Sequence, residues 1–323
     1  MTARISMLLA AITSWIVIFW SSLAVAQFPD RTITILVGYP PGGTADRTAR
    51  VLAPVFEREL KQKAIVENRA GGAQIAAARA VISAKPDGHT LFLVAEVDFV
   101  GKLIRDADLG VDLKDFASVC GTSFTPYFLV IRKDAPWNSL DEVIAHLRKN
   151  PESLTFGSSG INGGHHIILD FFQQQAGIKI IHVPHQGGGP VIAAMLGGQI
   201  DLSGGTWGLW RAQVDAGKVR PLAVLGGERM KELPTIPSFG EKGLSTAMSR
   251  GWSRFIVHKD TPPAIINQLS RACEGLTRDQ VAQDLLRKSG LDPLFLGASE
   301  TARLAAVDEA AVRTTMGSTS SKK

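Results

Sequence analysis

Cysteine is almost missing from this chain: Cys120 and Cys273 are the only two, and they lie far apart. A small fold stapled by disulfides is therefore excluded, and whether the two pair is open from sequence. Basic clusters are missing as well. The net charge is +5 and the pI about 9.3, yet Lys and Arg are scattered, and no aromatics stand on a strand to stack bases. Nucleic-acid binding is thereby excluded, and the charge excess mildly favours anions. No Gly-Lys-Ser/Thr phosphate loop occurs and no dinucleotide fingerprint follows the first strand, which argues against nucleotide chemistry. The stretch Gly157-Ser158-Ser159-Gly160-Ile161 lacks the second glycine of a nucleophile elbow, so a hydrolase serine has no support there. There is no fixed-period repeat.

The start carries Arg4 as the only charge in its first 29 residues, followed by an apolar run over 7–20. Ala24, Val25 and Ala26 then supply the small residues that signal peptidase needs, so residues 1–26 read as a signal peptide with Gln27 as the new first residue. The alternative is an uncleaved anchor, since 5–26 is uncharged and near the ~20 residues that span a bilayer. A lipid anchor would need cysteine at 27, so a soluble periplasmic protein is expected. What remains exceeds the ~150 residues typical of one domain, and at 45% hydrophobic residues it can fill two cores.

Strand-like runs at 32–37, 64–67, 91–95, 128–132, 178–183 and 219–224 alternate with helix-like segments, which predicts a mostly parallel α/β architecture. Ser139 and Glu142 form a capping-box pattern, with Pro151 beyond the helix end. Pro190 opens a helix that Gly197 and Gly198 stop. Thr261, Pro262 and Pro263 open another through Cys273. Gly290 closes the next, with Val281, Leu285 and Leu286 as its apolar positions, and Ser299 is placed to cap a last helix from Glu300. Pro54 should kink the first helix, and the polar tail 317–323 is expected to be disordered.

Three turns ahead of helices are rich in glycine: 39–46, 158–165 and 185–189. A helix start presents unpaired N–H groups and the positive end of its dipole, and glycine lets the backbone approach a ligand, so the group that suits such turns is an anion. Tight turns alone would also explain any single one of them. His165, His166, His182 and His185 fall close to two of these turns, but no carboxylate or thiolate stands at ligand spacing. No metal and no cofactor is expected, and the imidazoles are read as one core residue and others lining a polar cleft. Trp207 and Trp210 follow Gly204 and Gly205 and suit either core or pocket wall.

Over nearly the whole mature chain the sequence resembles the Bug-type extracytoplasmic receptors of tripartite tricarboxylate transporters. The resemblance rests on Phe28-Pro29, the loop Pro40-Pro41-Gly42-Gly43-Thr44-Ala45-Asp46, Val66-Glu67-Asn68-Arg69, Pro86-Asp87-Gly88, the stretch 156–166, His182-Val183-Pro184, Leu196-Gly197-Gly198-Gln199-Ile200-Asp201 and the stretch 216–224. It implies a two-lobe periplasmic binding protein, type II-like, with each lobe a sheet flanked by helices. The chain would cross twice between lobes, near 122–126 and 246–251. That division puts 27–124 and 249–323 in lobe 1 and 125–248 in lobe 2. It also implies a non-enzymatic solute-binding protein, a monomer, that captures a small organic acid and meets membrane transporter subunits transiently. A sensing receptor and, more weakly, a secreted hydrolase are the alternatives.

The pocket expected on these grounds draws on Tyr39, Pro41, Gly42, Gly43, Thr44 and Asp46 from the first turn, and on Ser158, Ser159, Gly160, Asn162, Gly163, Gly164 and His165 from the second. His185, Gly205 and Thr206 complete it, and Asp46, an acceptor, is assigned to ordering its loop, to bridging water, or to an amino or hydroxyl group of the ligand. This chain departs from relatives at His165, His185, Gln186 and Gly205, the last standing where many relatives carry an acid. Losing an acid and gaining imidazoles should make the cleft more receptive to anions, or reshape it for a larger acid.

Overall fold

The computed structural model describes residues 28–106, 108–161, 163–244 and 250–320. The export segment and Asn162 lie outside them, as does most of the second expected crossing. The fold is α/β with two lobes built on one continuous curled sheet. In the first lobe β1 (Ile33–Val37) lies between β2 (Ala64–Asn68) and β3 (Thr90–Ala95), parallel to both. In the second, β5 (Thr155–Ser158) lies parallel to β6 (Ile181–Pro184) and to β7 (Leu202–Thr206).

The lobes are joined by β4, a strand of 17 residues from Phe116 to Arg132. Its first half pairs antiparallel with β9 (Arg250–His258) and β10 (Asp292–Leu296), and its second half with β7 and β8 (Val219–Val224). The expectation of a mostly parallel sheet is thus corrected: the parallel strands sit at the outer ends and an antiparallel spine joins them. The reason is that β4 and β9 each pass from one lobe towards the other, so their neighbours must run against them. The first crossing is a stretch of continuous strand, since 122–126 lies inside β4.

Helices cover both faces of each sheet half. Alternation along β3 sends Leu91 and Leu93 to one core, with α1 (Thr44–Leu60) and α8 (Pro263–Glu274), and Phe92 and Val94 to another, with α2 (Ile75–Ile82) and Phe99 of α3 (Glu96–Arg105). Along β4, Leu129 and Ile131 face α4 (Leu140–Lys149) and α5 (Gly164–Ala176). Phe128 and Val130 face α6 (Gly188–Leu196) and α7 (Trp207–Asp215). A period of two therefore fixes which core each residue joins. Trp207 and Trp210 belong to this last core.

Several local expectations change. Ser139 accepts the Glu142 N–H as a cap should, but the Glu142 carboxylate takes the Asn138 N–H, so the box closes one residue earlier. On α9 (Gln280–Lys288) Leu286 is buried, whereas Val281 is 71% and Leu285 45% exposed, because only one edge of that short helix reaches the core. The last helix, α10 (Ala298–Ser320), begins before Ser299 and continues through the first part of the tail expected to be disordered. It packs against β4, α3 and α5, with Val312 among the apolar residues of the second lobe. Helix α1 runs unbroken through Pro54.

Cys120 and Cys273 form a disulfide that ties β4 to α8 across 153 residues, with both sulfurs buried. Constraining so long a loop restricts the unfolded chain. We expect the C120A/C273A double variant to lose about 2–4 kcal/mol of unfolding free energy in urea titrations. Reductant should lower the wild-type midpoint and leave the double variant unmoved.

Candidate functional site

The carboxyl ends of β1 and β3 face those of β5 and β7, where open α/β sheets collect their ligands. The first turn, after β1, is built around Asp46. This residue is 2% exposed and its Oδ2 accepts the Gly42 N–H at 2.9 Å, while Arg50 Nε contacts both oxygens at 3.1 and 3.0 Å. Arg50 also reaches the Asn68 side chain, whose amide donates to Tyr39 O at 3.0 Å. Burial alone would raise the Asp46 pKa, but the bonds from Arg50 and Gly42 hold it below the usual carboxylate range. Asp46 therefore orders the loop. Gly42 adopts φ +84°, which an L side chain resists, and no side chain caps α1 beyond it.

The second turn is closed by a residue absent from the pocket expected from sequence. Asp98, in the first turn of α3, reaches across to α5, where its Oδ1 accepts the Gly164 N–H at 2.7 Å. A Cβ on Gly164 would fall 2.8 Å from Asp98 Oδ2 and 3.0 Å from its Cγ, so glycine here admits this carboxylate. Tyr39 adjoins it; burial and then the Asp98 charge push that phenol well above its ordinary pKa. The α3 start is itself held by Gln74, fully buried, whose amide exchanges two 3.0 Å bonds with the backbone of Ala95.

His165 follows directly. Burial lowers its pKa, against the pull of Asp98, and its Nδ1 is buried without a hydrogen-bond partner. A Cβ on Gly205 would fall 2.9 Å from His165 Nε2, so the bare backbone at 205 leaves room for that imidazole. Burial disfavours the charged form of His165, beside the Asp98 carboxylate. His185 turns back, its Nδ1 3.0 Å from Val183 O, while its N–H donates to Ser158 O at 2.8 Å and joins the second and third turns. Ser159, Gly160 and Gly163 lie in this joined pair of turns, and Thr206 ends β7 beside Gly205.

Behind these turns lies a second cluster. His166 and His182 stack with centroids 3.9 Å apart, and His182 Nε2 sits 2.6 Å from Ser158 Oγ. The Ser158 hydroxyl lies between two partners, Gly160 O at 3.0 Å and His182 Nε2, and it accepts the Gly160 N–H at 3.3 Å. Arg105 ion-pairs with Asp170 and stands 3.1 Å from His166 Nδ1. A guanidinium only donates, so His166 carries its proton on Nε2 and stays neutral. Among the described residues no group of three or more His, Cys, Asp or Glu is placed to hold a metal ion, and no helix is long and apolar enough to cross a membrane.

Residues 48–316 match the model of the tripartite tricarboxylate transporter family receptor. The chain is similar to a protein from the TAR-I ttuE–ttuC' intergenic region of Agrobacterium vitis, at 30% identity over 94% of this chain and 90% of that one. It is 27% identical to protein BugT of Bordetella pertussis over 85% of both. In structure it is similar to R. palustris Rpa4515, solved with adipate: TM-score 0.82, 25% identity, covering 90% of this chain and 98% of the other.

Burial, and then the neighbouring His182 and Arg105, outweigh the Asp170 charge and bring the His166 pKa down to about 4. An unfolded histidine titrates near ~6.5, so between these values the unfolded chain binds a proton that the folded one refuses. Stability is expected to be complete above about pH 6.5 and to fall as the pH drops towards 4. The His166→Gln variant should show a smaller fall in urea midpoint between pH 7 and 4.5. An equal fall would place the titration elsewhere.

Proposed function

The chain belongs to the tripartite tricarboxylate transporter receptor family, and on that premise we propose that it captures a small organic carboxylate between its lobes and delivers it to the family's membrane subunits. The observation that carries this reading is the start of α1. No side chain caps it, Asp46 is engaged within its own loop, and the first-turn N–H groups therefore have no intrahelical partner. Those groups, with the positive helix end, suit an ionised carboxylate. Ligand contacts in this reading come from Tyr39, Pro41, Gly42, Gly43 and Thr44 on one side and from the 158–165 turn, His185, Gly205 and Thr206 on the other. The adipate held by the R. palustris relative supports an aliphatic acid as the ligand class.

In this reading binding proceeds without turnover, as for a receptor, and Ser158 is fully buried. The lobes, 27–124 with 249–323 and 125–248, close about β4 and the segment ahead of β9. Release from the membrane after Ala26 places the receptor free in the periplasm.

A carboxylate taken out of water must be met by donors, whereas an amide presents two N–H groups to a donor set. The chain starting at Gln27 is therefore expected to be stabilised by a cognate carboxylate by about 2.7 kcal/mol at 100 times its dissociation constant. The matched amide should leave the melting temperature unchanged. Equal binding of acid and amide in calorimetry would refute the carboxylate reading.

A further inference from the structure

We propose that Asp98 is the specificity-determining residue of the cleft: seated on the Gly163–Gly164 start of α5, it rejects a second ligand carboxylate there and selects a monocarboxylate whose other end carries an ammonium or similar donor. The inference rests on the receptor reading above and narrows its substrate class.

The argument begins with occupancy. The start of α5 has the same attraction for an anion as the start of α1, but its Gly164 N–H already binds Asp98 Oδ1 at 2.7 Å. Oδ2 and Cγ lie so close to Gly164 that a methyl group there would meet them at 2.8 and 3.0 Å. The protein's own carboxylate thus stands where a ligand's second carboxylate would gain most. A helix end offsets about half a charge, which leaves a negative remainder beside the cleft.

The neighbours do not cancel that remainder. His165 is uncharged through burial. Arg50 is engaged with Asp46, Arg105 with Asp170, and Arg254 with Glu96 at 2.6 Å, while Arg47 reaches the Gly42 carbonyl on the first turn at 2.7 Å and Arg250 lies over Phe124. Asp98 accepts from the Gly164 N–H and the Tyr39 hydroxyl and retains further acceptor capacity, because a carboxylate accepts about four hydrogen bonds. A second anion would face like charge at short range in a partly desolvated site, while an ammonium would find an acceptor with charge to match. The competing view makes Asp98 only a structural cap that ties α3 to α5.

The two views separate in a matched panel. Succinate, glutarate and adipate are titrated calorimetrically against 4-aminobutanoate, 5-aminopentanoate and 6-aminohexanoate, with butanoate, pentanoate and hexanoate alongside. The proteins are the wild-type chain from Gln27 and its Asp98→Asn and Asp98→Ser variants. Both replacements keep an acceptor for the Gly164 N–H and remove the charge, so one serves if the other fails to fold. We expect the wild type to favour at least one amino acid over its diacid by about tenfold or more, and both variants to reduce that ratio by a similar factor. A wild-type preference for diacids or for the plain monoacids, or a ratio unmoved in the variants, overturns the inference and leaves the receptor reading intact. Silence of the whole panel, with longer and aromatic acids equally silent, overturns both.

Discussion

Every backbone group of an interior strand needs a partner, and β4 is the element whose partners come from both lobes. Over its first half β9 and β10 flank it; over its second half β7 and β8 do. One ladder therefore runs through the molecule, with the change of partners falling near 122–126. Side chains brace that stretch: Thr122 Oγ1 bonds Ser253 O at 3.1 Å, Thr125 Oγ1 bonds Gly290 O at 3.0 Å, and the Arg250 guanidinium lies 4.3 Å from the centroid of Phe124. The disulfide anchors the same strand to α8 at Cys120, just outside that stretch.

With the spine fixed, the cleft is framed by backbone approaching backbone. A Cβ on Gly208 at the start of α7 would meet Ser289 O at 2.2 Å, which shows how closely that helix abuts the turn before β10. On the opposite side α3 lies along α5, with Val97 and Val100 among the second lobe's apolar residues and polar contacts from Asp98 and Arg105 at its two ends.

Much of this was legible in the sequence, and the reason lies in period. Apolar alternation located β1, β2, β3 and β8 to within a residue or two, and the glycine turns marked the ends of β1 and β5. What escaped was set by tertiary neighbours. The length of β4 did not show, because Gly121, Thr122, Ser123 and Thr125 interrupt its apolar run; they are tolerated because β9 and β10 enclose them. Gln74 carries no local signal, and Asp98 only a faint one. Each acts on a segment remote in sequence, Gln74 on Ala95 and Asp98 on Gly164. The one available hint was an acid in the first turn of a helix directly after a buried strand, at the end of the sheet where ligands gather. The cysteines could not be paired from their spacing, since only the fold brings 120 and 273 together.

Asp46 and Asp98 show how the same residue type at two helix starts serves opposite ends. Asp46 lies within the first turn of its own helix and turns back to its own loop and Arg50, so its charge is neutralised locally and the N–H groups ahead of it stay open. Asp98 projects from one helix to the start of another, so its charge is exported to a site that would otherwise attract an anion. Two equivalent starts would make a symmetric trap suited to a diacid. On the proposed reading, one open and one self-filled start make a polar trap, with a binding end for an anion and a complementary acid at the other. The asymmetry needs no change in fold, only an acid at position 98 and glycines at 163 and 164 that let it lie against the backbone.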